Sequence, residues 1–227
     1  MLASSLRMGT HARTLAIAGI CAAFVLVGAA AEVVLFPRVL PTLTRFRDPS
    51  PQGMTQPQLE ALLGHVARSL KPDLRARLAE AVLSESTRAG YDPLFVLALV
   101  SVESGFRPLV SSERGAYGLM QLKPSTFAWI AGRERDLDDA AAVAEDPVLD
   151  VRMAVRYFHW LNKRFRNRDE ALMAYNAGPG RMQQFKRTQI PASVREYARK
   201  VNREHQRFTR LAASAVQPGG EMLARAN

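Results

Sequence analysis

The chain has a single cysteine, Cys21, in 227 residues, which excludes an intramolecular disulfide framework and a cysteine-built structural zinc site. Histidine is also scarce: the four, at 11, 65, 159 and 205, form neither an H-E-x-x-H helix nor a close pair, so no metal centre is expected. Gly 14 and Pro 13 are near average usage, which removes collagen-like and low-complexity readings. No internal repeat and no Val/Ile-rich alternating stretch is present, so nothing in the pattern asks for a sheet. The composition is 48% apolar and 23% charged, enough for one packed helical domain with appendages.

Charge of one sign is in excess. Lys+Arg 31 against Asp+Glu 21 gives +10, and the segment 152–210 alone holds 15 cations against 4 acids. This predicts an anionic partner without saying which, and most of these side chains are expected on solvated helix faces.

Residues 15–31 carry no charge, and the apolar stretch resumes after Glu32 up to Pro37, close to the length of about 20 residues that crosses a bilayer. Arg7 and Arg13 precede it, which favours a cytoplasmic N-terminus of 1–14 and export of the chain beyond the apolar run. The reading adopted is an uncleaved transmembrane anchor over 15–36. A signal peptide remains the alternative, since Ala29 and Ala31 form an A-x-A pattern. An exported domain meets lipid headgroups and cell-wall polymers first, so nucleic acid is not an expected partner.

Prolines at 37, 41, 49, 51 and 57 mark a semi-extended spacer over 37–57, leaving 58–214 as the folded domain and 215–227 as a loose tail. Asp92-Pro93 is a helix start and Gly105 its stop, with seven apolar residues from 94 to 100 between them. Asp146-Pro147 repeats the start signal ahead of Val148, Val151, Val155, Phe158 and Phe165 at helical spacing. Asp169 is placed as the cap of a short helix running to Tyr175 and ended by Gly178-Pro179-Gly180. A last helix comes after Pro191, with Val194, Tyr197, Val201, Phe208 and Leu211 on one side.

Glu103 closes the most apolar helix, where partial desolvation and the negative helix end both favour the protonated form. A carboxylic acid that keeps its proton near neutral pH suits the protonation of a departing sugar oxygen. On position alone an ordinary last-turn glutamate is the simpler reading. The surroundings change this: E-S-G-F-R-P-L-V-S-S-E-R-G-A-Y-G-L-M-Q-L-K-P runs from 103 to 124, and A-L-M-A-Y-N-A-G-P-G-R from 171 to 181.

With Asp146-Pro147, Tyr157, and Arg195 and Tyr197 in the final helix, this pattern resembles the lytic transglycosylases with a lysozyme-like (goose-type) catalytic domain, over roughly residues 80–212. The resemblance implies an all-α, lysozyme-like fold and a peptidoglycan substrate cut between N-acetylmuramic acid and N-acetylglucosamine without water, with no metal and no cofactor. It makes Glu103 the catalytic acid, puts Ser112 and Gln121 along the groove and Tyr175 and Asn176 on the opposite wall, and includes Tyr197 among the substrate-site residues. Tyr175 and Asn176 end a helix before a glycine turn, so their polar ends are expected to face a cleft. Without the family pattern, Tyr175 would be read as a core tyrosine. Gly115 and Gly118 bracket a segment whose amides are expected to approach a ligand, and Met120 is assigned to packing. Glu113, in the polar S-S-E-R loop, is the near-sequence candidate for a second carboxylate and is read as solvated. Two departures stand out: Lys123, where relatives often carry an apolar residue, and Ser193-Val194-Arg195, where many carry Glu-Thr-Arg. A lysozyme-type hydrolase and an inactive glycan-binding module share the same fold and remain as alternatives. Envelope or secretion machinery is a candidate partner, because wall turnover, division and secretion all use such a domain.

Overall fold

Seven consecutive apolar side chains cannot face water on any side of a helix, and the rest of the domain is arranged to cover them. The computed structural model of the chain describes residues 54–134 and 146–216. These form eight helices: α1 (Gln56–Val66), α2 (Pro72–Ala89), α3 (Pro93–Ser104), α4 (Pro124–Ala131), α5 (Pro147–Arg164), α6 (Arg168–Ala177), α7 (Pro179–Arg187) and α8 (Ala192–Val216). Among the described residues the only pairing of strand type is two isolated bridges, Ser111 to Tyr117 and Tyr117 to Leu122. The expected anchor at 15–36, the segment 1–14, most of the spacer and the tail from 217 lie outside the described residues. No described helix is long and apolar enough to cross a membrane.

Helix α3 is the axis. Asp92 accepts from the Leu94 amide at 2.9 Å, Pro93 opens the helix, and Gly105, at φ 59°, turns the chain out of it. Leu94 to Val100 are essentially inaccessible to solvent. Helices α8 and α2 pack on α3, α5 lies on α2, and α6 bridges α5 and α8. An aromatic chain ties these layers together: Phe95 of α3 meets Phe158 of α5 with centroids 5.3 Å apart, Tyr91 contacts both, and Phe158 meets Tyr175 of α6. Each buried ring contributes about 2 kcal/mol of transfer free energy, so this chain is a large part of what fixes α5 and α6 against the axis.

Three local expectations need correction. The cap of α6 is Asn167, whose side chain accepts from the Glu170 amide at 2.9 Å; Asp169 sits in the first turn and accepts instead from Asn202 of α8. Asparagine and aspartate cap equally well, so tertiary pairing of Asp169 decides the register. Pro179 opens α7 instead of serving as part of a turn, because proline at a first helical position gives up an amide that has no partner there anyway. Pro57 likewise lies in the first turn of α1, behind Thr55, whose amide donates to Gln58 Oε1 at 2.9 Å.

Helices α2 and α5 are joined by a buried ion pair. Arg156 donates through Nη2 to Glu85 Oε1 at 2.9 Å and through Nε to Glu85 Oε2 at 3.2 Å, while its Nη1 reaches Glu134 at 3.1 Å. Arg88 supports Glu85 from the solvent side at 2.7 Å. Removing one member of such a pair leaves a charge without compensation. Arg156→Met is therefore expected to destabilise the domain by about 2–4 kcal/mol, the Arg88 contact limiting the loss; urea unfolding of the two proteins measures it.

Candidate active site

Glu103 is the first acidic side chain after the apolar run of α3, and one residue later the helix ends. The exit is tight: Gly105 and Phe106 both have left-handed backbone, φ 59° and 61°, and the Phe106 ring is held in the core against Phe208. A phenylalanine in this conformation is strained by roughly 1–2 kcal/mol, and burial of its ring offsets that. The exit fixes where Glu103 points. Its Oε1 accepts a hydrogen bond from the hydroxyl of Tyr197, a buried residue of α8.

Beyond that exit the segment 110–122 folds into a compact turn, with Leu119, Met120 and Leu122 buried in the core. The Gly118 amide donates to the Val110 carbonyl at 3.0 Å, the Tyr117 amide to Leu122 at 3.0 Å, and the Ser112 amide to Ala116 at 2.8 Å. Gln121 takes up left-handed backbone at φ 49°, and its Nε2 donates to both Val110 and Gly118 carbonyls at 2.9 Å. Beneath this turn lies Asp150 of α5, 2% exposed, whose Oδ2 accepts from the Met120 amide at 3.0 Å. Tyr175 of α6 closes the arrangement by donating its hydroxyl to the Met120 carbonyl at 2.8 Å. The Met120 residue is thus clamped through both its amide and its carbonyl.

Burial pushes the Glu103 carboxyl up to about 7; the Tyr197 hydroxyl works against this by stabilising the ionised form, and the charge of Asp150 adds to it. Burial likewise raises Asp150 to about 7, opposed by the Met120 and Leu119 amides. Tyr175 and Tyr197 are raised well above their usual range, first by burial and then by the charge of Glu103, so both act as neutral donors. A carboxyl that titrates near neutrality can both give up and take back a proton, which is what a single acid–base group needs.

The expected site residues fall into two groups. Glu103 and Tyr197 are in direct contact. Ser112 and Gln121 lie half-buried in the turn, but both are engaged by it: Ser112 Oγ accepts from the Ala116 amide at 3.0 Å, and Gln121 spends its amide nitrogen on two carbonyls, leaving Oε1 outside that bonding. Asn176 is exposed at the end of α6. Tyr175 needs correction. Its hydroxyl is not exposed: the residue is buried against Tyr157 and Phe158 with the rest of 171–175, and the hydroxyl is spent on the Met120 carbonyl.

The amides around Gly118 need correction too: those of Gly118 and Met120 are already bonded within the protein. The close approach that demands a glycine here is to Asp150, whose Oδ2 would stand 2.4 Å from a Cβ at position 118, itself at φ 84°. Glu113 is exposed as expected, and the carboxyl whose charge acts on Glu103 is that of Asp150. Sequence reasoning passed over Asp150 because an acid in the first turn of a helix complements the dipole and needs no other explanation. The available signal was its place beside Val151 and one turn before Ala154, on the inward side of α5. Lys123 is the exposed cap residue of α4, and Ser193 is exposed in the first turn of α8.

A family model described as a transglycosylase SLT domain matches residues 80–197, just over half of the chain. The endo-type membrane-bound lytic murein transglycosylase A of Klebsiella pneumoniae is 39% identical over 70 residues, covering 30% of this chain and 34% of that protein. The soluble lytic murein transglycosylase of Salmonella typhimurium is 33% identical over 91 residues, covering 39% of this chain and 14% of that protein. The match thus spans about a third of the first relative's length and a smaller part of the second's. Among solved structures, the X-ray structure of an inactive mutant of the lytic transglycosylase Slt from Pseudomonas aeruginosa shares the fold, with a TM-score of 0.52 at 22% identity over 73% of this chain and 32% of that one.

The Tyr197 contact makes a prediction with a definite sign. Its hydroxyl favours the ionised carboxylate, so Tyr197→Phe should raise the pH at which Glu103 ionises above about 7. Carboxyl carbon NMR of glutamate-labelled protein reads this, and an unchanged or lower midpoint would contradict the arrangement described.

Proposed function

The chain belongs to the SLT transglycosylase family, and from that premise we propose that it is a peptidoglycan lytic transglycosylase with Glu103 as its one acid–base group. The observation that carries the reading is the Glu103 carboxyl itself: held at the end of a buried helix, touched by one neutral hydroxyl, and titrating at about 7. Glu103 in its protonated form donates to the glycosidic oxygen between N-acetylmuramic acid and N-acetylglucosamine, and the C1–O bond breaks as that oxygen leaves as a hydroxyl. The resulting carboxylate is stabilised by the Tyr197 donor, and takes the proton from the muramyl C6 hydroxyl. The C6 oxygen bonds to C1, closing a 1,6-anhydro ring. Glu103 ends protonated, ready for another turn, and water is not consumed.

The clamped turn at 110–122 gives the groove a stiff wall, on which Ser112 and the Gln121 side-chain oxygen offer acceptors to sugar hydroxyls and amides. Asn176 offers a further exposed amide at the end of α6. The relatives' names supply murein as the substrate class. For localisation, the uncharged run at 15–31 behind Arg7 and Arg13 supports a single-pass inner-membrane anchor with the domain in the periplasm, and the Klebsiella relative is membrane-bound by name. Envelope or secretion machinery that opens the wall is the partner class this placement suits.

Glu103→Gln keeps the shape of the side chain but removes the proton it must transfer. Release of anhydromuropeptides from sacculi is expected to fall by at least about 10²- to 10⁴-fold, with glycan binding retained. Mass spectrometry of the products decides the class: anhydro ends from the wild type support the reading, and reducing muramic acid ends would instead mean a lysozyme-type hydrolase.

The anchor has its own test. Full-length protein should sediment with the inner membrane and resist carbonate extraction, whereas a soluble periplasmic form beginning at Glu32 would replace the anchor with a cleaved signal peptide.

A further inference from the structure

We infer that Asp150 is a positioning residue for the acid site: its buried carboxyl, reaching from α5, holds the Met120 amide of the turn 110–122, whose Met120 carbonyl is held in turn by Tyr175. The inference rests on the transglycosylase reading for its kinetic consequence, but not for its physical one.

The geometry comes first. Asp150 is on α5, Glu103 on α3, and the turn 110–122 belongs to neither, yet Asp150 reaches into that turn and accepts from the Met120 amide at 3.0 Å. Gly118 has given up a side chain to let it in. The carboxyl is only half used: Oδ1 is buried and has no hydrogen-bond partner among the described residues. A buried acceptor left bare costs roughly 1–3 kcal/mol, and an asparagine, with an amide nitrogen in that place, would leave a milder polar group behind. A site built only to hold the turn has no need of an acid. What the acid adds is charge.

The groups that face Glu103 are Tyr197 from α8, Asp150 from α5 and Tyr175 from α6; Asp150 is faced by Glu103, Tyr175 and the two turn amides. The tyrosines stay neutral, so the only one of these groups whose charge changes around neutrality is Asp150. Burial raises both carboxyls to about 7, and the charge of either opposes ionisation of the other. The two therefore lose their protons as a pair, and the second is released later than it would be alone. A general acid is active in its protonated form, so Asp150 extends activity toward higher pH.

The stability consequence has the same origin. Both groups hold protons more tightly when folded, so between about pH 4 and pH 7 the folded state carries more protons than the unfolded one. The contribution of this pair to stability is then highest at the acid side of that window and falls as pH rises through it.

The test is Asp150→Asn in the full-length chain, with kcat/KM for anhydromuropeptide release measured from about pH 4.5 to 9, a range that brackets both carboxyls. The upper limb of the profile is expected to move to lower pH, because the neutral amide no longer opposes ionisation of Glu103. Melting temperature followed over the same range should fall less between about pH 4 and 7 than in wild type. An upper limb and a melting slope both identical to wild type would reduce Asp150 to a structural support and overturn the inference. Carboxyl carbon NMR of Glu103 in the wild type tests the same coupling without any substitution: a two-step titration supports it, and a single simple step overturns it. Should the wild type release no anhydro products at any pH while the Glu103 titration is two-step, the transglycosylase reading fails and the coupling stands.

Discussion

Helix α3 has no solvent face from Leu94 to Val100, and that one constraint dictates the placement of nearly everything else. A helix of this kind must be wrapped, and α2 and α8 take its sides while α5 and α6 complete the enclosure through Phe158 and Tyr175. The wrapping leaves polar groups to the two ends, Asp92 with His205 at the start and Ser101 with Glu204, then Glu103, toward the finish. Glu103 therefore emerges where the enclosure stops, with apolar walls behind it and the Tyr197 hydroxyl in front. The same burial that stabilises the fold keeps the carboxyl protonated, so core packing and acid strength are two results of one arrangement.

The turn at 110–122 obeys a different principle. Leu119, Met120 and Leu122 anchor it in the core, but its shape is set by hydrogen bonds: four backbone pairs, the Gln121 amide across two carbonyls, and Asp150 and Tyr175 on the amide and carbonyl of Met120. A loop secured in this way presents side-chain atoms to the groove and few free backbone amides. Rigidity here comes from satisfying donors internally, and that is why residues that read as ligand contacts turn out to hold the wall as well.

Much of the fold was legible because helix punctuation is chemically specific. Asp92-Pro93 and Asp146-Pro147 both cap as their residue types require, and Gly105 supplies the left-handed exit. Glu103 was legible through its neighbours in the chain, while its contact with Tyr197, 94 positions away, depends on how α8 crosses α3. Asp150 was legible only through its register beside Val151 and one turn before Ala154, since one acidic residue near a helix start otherwise suits water as well as a turn. Tyr175 was ambiguous for a related reason: its hydroxyl needs one acceptor, and sequence does not say whether sugar or the Met120 carbonyl provides it. Asn167 against Asp169 shows the limit at helix ends, where two adequate caps two residues apart are separated only by a partner on α8.

The contact between Gly118 and Asp150 also constrains how this chain can diverge. A side chain at 118 has no room while the carboxyl stands 2.4 Å from where its Cβ would be, and the backbone there is left-handed besides. Shortening Asp150 first would open the space but strip the Met120 amide of its acceptor. Each single step is unfavourable, so the glycine and the carboxyl constrain one another. A helix α5 taken from another protein would therefore have to match this turn as well as the apolar core.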